Sequence, residues 1–195
     1  MKNPFHNIRP NLAGDQPEIH PSALIDPSAQ IIGRVIIGRN VFVAPLVVIR
    51  ADERGPDGAV APILLEEEVN IGDGVIIHSQ GGELVTIGQR TSVGHGVTIH
   101  GPCTIEADCF LAMRCTIFNA VLEAGVWVGM SSIVTRTRIE THTYVPGGSL
   151  IRSVEDAQDL RLVSAKEKQY MQTVLDAASR LREDYLKLRL GSVGK

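Results

Sequence analysis

The sequence predicts a mainly β fold, a parallel coil of short strands closed by a C-terminal α-helix. Three observations predict it: an aliphatic residue at every sixth position, β-branched residues concentrated before Arg152, and a change to helical spacing after it. The chain has 195 residues, enough for one core and an appendage. Ile19, Ile25, Ile31, Ile37, Val43 and Ile49 are six residues apart, and the register returns at Ile87, Val93, Ile99, Ile105, Leu111 and Ile117. Leu122, Val128 and Val134 continue it after a five-residue step, and Ile139, Val145 and Ile151 after another. Six is a multiple of the strand period of two and fits 3.6 poorly, so these residues share one interior only if the chain is extended and turns regularly.

Valine and isoleucine number 20 and 19, and all but five of them lie between Ile19 and Ile151, as a pleated backbone favours. The residue four places after each aliphatic one is small or β-branched: Ala23, Ala29, Val35, Val41 and Val47, then Thr91, Val97, Cys103, Cys109 and Cys115. A narrow interior shared by two side chains per strand requires this. Glycine often follows the aliphatic residue directly (Gly33, Gly38, Gly72, Gly88, Gly94, Gly129), which predicts corners with unusual backbone angles. Two stretches break the repeat and read as exposed loops, Arg54 to Ala61 and Ser79 to Thr86. Three segments follow: an N-terminal arm over 1–18, the coil over 19–151, and a helical segment over 152–195 that packs on the coil or on a neighbouring subunit. Ser153 with Asp156 reads as a capping pair, and Met171, Val174, Ala178, Leu181, Tyr185 and Leu188 form an amphipathic stripe.

Composition excludes several classes. A net charge of −3 is too balanced for electrostatic capture, so no nucleic acid and no membrane surface is expected as a partner. The longest apolar run, Val41 to Ile49, is nine residues, against roughly 20 for a membrane span. With no signal-like start and three unpaired cysteines, the expected location is cytoplasmic. Cys103, Cys109 and Cys115 take small interior positions and read as packing rather than as ligands.

The histidines fall into groups. His78 and His100 each directly follow an aliphatic repeat residue. They are 22 residues apart where a three-face coil takes 18, and the loop after His78 absorbs the difference. They therefore occupy equivalent corners of adjacent coils, about 5 Å apart, close enough to share one metal ion. His95 lies some 15 Å back along an extended strand from His100, out of reach of that ion in one chain. A second subunit under closed three-fold symmetry would bring it there. Three histidines and an open position suit catalytic zinc, and imidazole also suits iron and cobalt. His20 and His142 read as corner histidines bonding their own turns, and Glu66-Glu67-Glu68 as a solvated edge.

The aliphatic hexads resemble the hexapeptide-repeat family, whose chains wind as a left-handed parallel β-helix; the handedness is what the resemblance implies. Within it, Ile49-Arg50-Ala51-Asp52-Glu53, Asn70-Ile71-Gly72-Asp73-Gly74-Val75-Ile76-Ile77-His78 and Gly94-His95-Gly96-Val97-Thr98-Ile99-His100-Gly101-Pro102 are similar to the γ-class carbonic anhydrases in order and wording. That resemblance implies a homotrimer that hydrates CO2 reversibly to bicarbonate. Its metal would be held by His78 and His100 of one chain and His95 of the next. It also implies an Arg50–Asp52 ion pair joining subunits, with Glu53 and Asn70 as catalytic groups in the pocket. A metal of this kind can bring the pKa of water to about 7, and a carboxylate such as Glu53 can accept the proton.

Two departures from the family pattern stand out. Gly72 occupies the position where the family's best-studied form has glutamine, and the acidic loop after the first histidine is reduced to Ser79 to Thr86, with Glu83 as the possible proton relay. The stretch Arg54 to Ala61 is an insertion relative to the family. Two other classes remain open: a coenzyme A-dependent acyltransferase and a non-catalytic metal-binding scaffold trimer. The acyltransferases commonly carry Gly-x-Pro-Ala after the last coil, where this chain reads Val145-Pro146-Gly147-Gly148.

Overall fold

The structure, a computed structural model, describes residues 6–192. Residues 1–5 of the expected arm and 193–195 of the C-terminal segment lie outside the described residues. The hexads do what their spacing demands. Strands of a few residues stack in parallel into a solenoid, with one sheet of thirteen strands folded over two faces and one of seven on the third. Every strand pairing is parallel; two isolated bridges, Arg54 with Val60 and Thr143 with Leu162, are antiparallel.

Register turns the repeat into three buried columns. Ile49, Ile77, Ile99, Ile117, Val134 and Ile151 stand in line on one face. Ile25, Val43, Ile71, Val93, Leu111, Val128 and Val145 line the second. Ile19, Ile37, Leu65, Ile87, Ile105, Leu122 and Ile139 line the third. Most are fully buried, and each such side chain contributes about 1.5–3 kcal/mol by leaving water. The three cysteines lie between the columns as free, buried thiols.

Several expectations are corrected. Of the six corner glycines, only Gly33 has a positive φ, +81°. The others are needed for close approach: a Cβ on Gly129 would lie 2.4 Å from Gly147 N, and one on Gly88 2.5 Å from Ala107 N. Positive φ falls instead on residues such as Leu46, Arg90 and Arg114 at other corners. Ile8–Arg9, inside the stretch assigned to an arm, pair with Ile31–Ile32 and start the sheet ahead of Ile19.

Ser153 does not start a helix. Residues 153–159 form turns, and the helix, α1, spans Ala165–Ser192. Its cap is Ser164 with Glu167: the Ser164 N–H donates to Glu167 Oε2 at 2.7 Å, and the Glu167 N–H donates to Ser164 Oγ at 3.4 Å. Met171 and Val174 pack on the solenoid core, and Ala178 on the Leu24–Phe42–Ala44 cluster. Farther along the stripe Leu181, Tyr185 and Leu188 are exposed, with Leu181 lining the groove between the helix and the coil. Arg182 is the buried anchor there, donating to Ser22 O and Asn40 Oδ1. Among the described residues no helix is long and apolar enough to cross a membrane.

Candidate metal centre

Because Ile49, Ile77, Ile99 and Ile117 all point inward, the residue after each points outward. Arg50, His78, His100 and Phe118 therefore form one outward ladder on adjacent strands Val48–Ala51, Ile76–His78, Thr98–Ile105 and Thr116–Leu122. The predicted pairing of His78 with His100 is direct, with ring centroids 5.0 Å apart and planes at 80°. His78 Nδ1 lies 3.3 Å from His100 Nε2. His100 Nδ1 donates to Gly101 O at 3.2 Å, which leaves the Nε2 lone pair facing His78. Phe118 follows, its ring 5.4 Å from that of His100, with the Arg136 guanidinium 5.5 Å from the Phe118 centroid.

Charged groups gather around the His78 ring. Its Nε2 is buried and makes no hydrogen bond; Glu53 Oε1 at 3.2 Å and Asp52 Oδ1 at 3.8 Å are close but misaligned. Burial is the main influence holding the His78 pKa below its ordinary value; Arg50 and His100 add to this, and Glu53 and Asp52 oppose it. The ring is thus kept neutral, the state a metal ligand needs. Arg50 Nη1 donates to both oxygens of Asp52 of the same chain at 3.0 Å. Glu53 Oε2 accepts from the Gly81 N–H at 3.2 Å.

His95 stands elsewhere. It follows strand Ser92–Val93 in a turn, and its side chain is 61% exposed. Asp73 Oδ2 and the Asp73 N–H lie 3.0 and 3.1 Å from its Nδ1. Accepting the Asp73 N–H uses the Nδ1 lone pair and puts the proton of a neutral ring on Nε2; Nε2 would be free for a metal only with the proton moved to Nδ1, facing the Asp73 carboxylate. His95 lines a groove of about 730 Å³ beneath α1, together with Asn70, Gly72, Phe110, Met113 and Trp127. Asn70 Nδ2 donates to Ser92 Oγ at 3.0 Å. Glu83 is exposed on its loop. His20 bonds its own turn through Ser22, 2.9 Å away.

Two observations test the fit to a metal. Two nitrogens on one tetrahedral ion with bonds of about 2.0–2.1 Å are about 3.3 Å apart, the His78–His100 separation. That pair uses His78 Nδ1, so a shared ion would leave the ring proton on His78 Nε2, a buried nitrogen 3.2 Å from Glu53 Oε1 that makes no hydrogen bond. Within one chain the set is incomplete: among the described residues no group of three or more His, Cys, Asp or Glu side chains could hold an ion. Sequence reasoning does not single out Asp73, Phe118 or Gly81. A signal exists for two of them. Asp73 precedes His95 by 22 residues, the His78–His100 interval, and Phe118 follows His100 by one coil.

A parallel solenoid with paired outward imidazoles defines a hexapeptide-repeat protein with a candidate metal centre. The family model for bacterial transferase hexapeptide (six repeats) matches residues 16–51. The carbonic anhydrase of Methanosarcina thermophila is 30% identical over 181 residues, covering 80% of this chain and 71% of that protein. The chain belongs to the γ-class carbonic anhydrase-like family of hexapeptide-repeat proteins. The carboxysome assembly protein CcmM of Nostoc sp. is 35% identical over 179 residues, 87% of this chain, and the chain spans 31% of that relative's length. A hexapeptide transferase family protein from Anaplasma phagocytophilum shares the fold, with a TM-score of 0.63, 23% identity, and coverage of 90% of this chain and 96% of that one.

Proposed function

We propose that the protein is a metal-dependent carbonic anhydrase, hydrating CO2 reversibly to bicarbonate as a homotrimer. His78 and His100 of one protomer and His95 of the partner subunit would hold zinc, or iron or cobalt. The observation that carries this reading is the in-register imidazole pair, with His78 Nδ1 and His100 Nε2 3.3 Å apart. When bound, such an ion supplies the Lewis acidity that brings ionisation of water to about pH 7.

The chain's own residues supply the rest. His78, held neutral by burial, needs to shed no proton to bind. Glu53 is 46% exposed, so it can take a proton on Oε1 beside His78 and pass it to solvent, with Glu83 as an outer relay. The Arg50 guanidinium occupies both Asp52 oxygens and keeps that carboxylate from competing with Glu53. Asn70, its amide oriented by Ser92, offers Oδ1 to the groove, whose apolar wall suits CO2.

The trimer reading rests on an apolar edge. The outward ladder Val48, Ile76, Thr98, Thr116, Ile133, Leu150 adjoins the histidine ladder, and Ile76, Ile133 and Leu150 are exposed on it. Met113 and Met130 are exposed near His95. Ile133 and Leu150 are in-register neighbours there, and exposed apolar residues grouped in this way suit an association surface. The free thiols accord with a cytoplasmic setting.

Gly72 favours a second reading, a trimer that keeps its metal as a scaffold. A Cβ there would lie 2.9 Å from His95 N, so this corner is built for glycine, and no side chain from it reaches the pocket. Stopped-flow CO2 hydration on protein purified anaerobically and loaded with zinc or iron decides between the readings. Activity lost on chelation and in His100→Ala supports the enzyme. A metal-loaded but silent trimer supports the scaffold, and activity indifferent to both treatments removes the metal mechanism.

A further inference from the structure

The two insertions, far apart in sequence, meet in space, and they meet through glycine. A Cβ on Gly55 would lie 2.7 Å from Gly82 Cα, one on Gly82 2.8 Å from Gly55 Cα, and one on Gly81 2.6 Å from Arg54 O. No other residue type permits this approach without moving a backbone. The first loop is itself braced. The Gly55 N–H donates to Ala59 O at 2.7 Å, the Gly58 N–H to Gly55 O at 2.9 Å, and the Ala59 N–H to Asp57 Oδ1 at 2.9 Å. Arg34 Nη1 ties it to the solenoid by donating to Val60 O at 2.9 Å, and the Val60 side chain is buried. The second loop, backed by the first, presents the Gly81 N–H to Glu53 Oε2, while Glu53 Oε1 faces His78 Nε2.

We propose that the loops at 54–61 and 79–84 form one cradle that holds the Glu53 carboxylate against His78, with Gly55, Gly81 and Gly82 as positioning residues. A half-exposed glutamate left free samples several rotamers. Glu53 is instead fixed on one oxygen by a backbone donor, and that donor is fixed by glycine-on-glycine packing against a braced neighbour. The 54–61 loop, which starts at the residue after Glu53, thus acts back on that carboxylate through Gly81. Its use in proton transfer rests on the carbonic anhydrase reading; the cradle itself rests on the contacts.

Amide hydrogen exchange on the full-length, metal-free protein tests the cradle. Glu53→Ala should speed exchange at Gly81 by about tenfold, the worth of one hydrogen bond, with Ile77 and Ile99 amides unchanged. Glu53→Gln, which keeps an acceptor oxygen, should restore protection, and Gly55→Ala should lose it with Glu53 intact. Gly81 exchanging equally fast in the parent and in Glu53→Ala, or protection surviving Gly55→Ala, overturns the proposal. A second readout is a double-mutant cycle in CO2 hydration. Gly82→Ala should lower kcat about tenfold in the parent and leave it unchanged in a Glu53→Ala background, with zinc affinity equal in all four proteins. If the protein hydrates no CO2, the carbonic anhydrase reading fails while the exchange result still decides the cradle.

Discussion

Phe118 stands one coil beyond His100 in register, and its ring lies 5.4 Å from the imidazole, with the Arg136 guanidinium 5.5 Å from the Phe118 centroid. Together with the His100 Nδ1–Gly101 O bond, this packing limits how the imidazole can turn. Loss of such outer support costs about 10–100-fold in metal affinity. Phe118→Ala should therefore weaken zinc binding by about tenfold in calorimetric titration, with the thermal melt showing whether the coil itself is intact.

Self-association should depend on the apolar edge. Replacing Ile76 or Met130, both exposed, by a charged residue costs the monomer little, because neither is part of the buried core. In a trimer the same charge is buried unpaired. Ile76→Arg and Met130→Glu should shift sedimentation from a trimer to monomers and reduce metal occupancy with it. A monomeric parent protein would remove the three-histidine site altogether.

The helix cap sets an acid limit. Hydrogen bonding from Arg161 is the main cause that brings the Glu167 carboxyl from 4.5 down to about 2 in the folded chain, with Ser164 adding to it. A depressed carboxylate contributes stability above its unfolded value and loses it as the pH falls through the folded one. The difference in melting temperature between the parent and Glu167→Gln should be constant above about pH 5 and shrink between pH 4.5 and 2. Ser164→Ala should cost about 1 kcal/mol at neutral pH.

The thiols should be inert in the native state. Burial pushes the Cys109 thiol up to about 12 and the Cys115 thiol up to about 11, and it raises Cys103 as well. The thiolate is the reactive form. A colorimetric thiol reagent at pH 8 should find almost nothing before denaturation and three equivalents after it.

The coil was legible because a column of stacked aliphatic residues prints its period directly into the chain. The His78–His100 pairing was legible for the same reason: an interval of 22 differs from a full coil only by what a loop absorbs. The start of α1 was not, because Ser153–Asp156 and Ser164–Glu167 offer the same local chemistry. What distinguishes them is tertiary: Arg161 reaches Glu167 while stacking on Tyr144, 3.6 Å away. The corner glycines were read as a matter of torsion when the deciding force is the backbone of the next coil, which no local pattern carries. The meeting of the two insertions was hidden for a related reason, since residues outside the repeat have no register to predict it.

Three stacked columns also divide the molecule into rungs that hold together by contact with the rung above and below. The spacing between His78 and His100 is set by two adjacent rungs alone. Lengthening or shortening the prism by whole rungs at its distal end would leave the centre undisturbed, whereas an insertion of any other length must bulge outward. Variation in chain length here is thus channelled away from the ladder and into its rim.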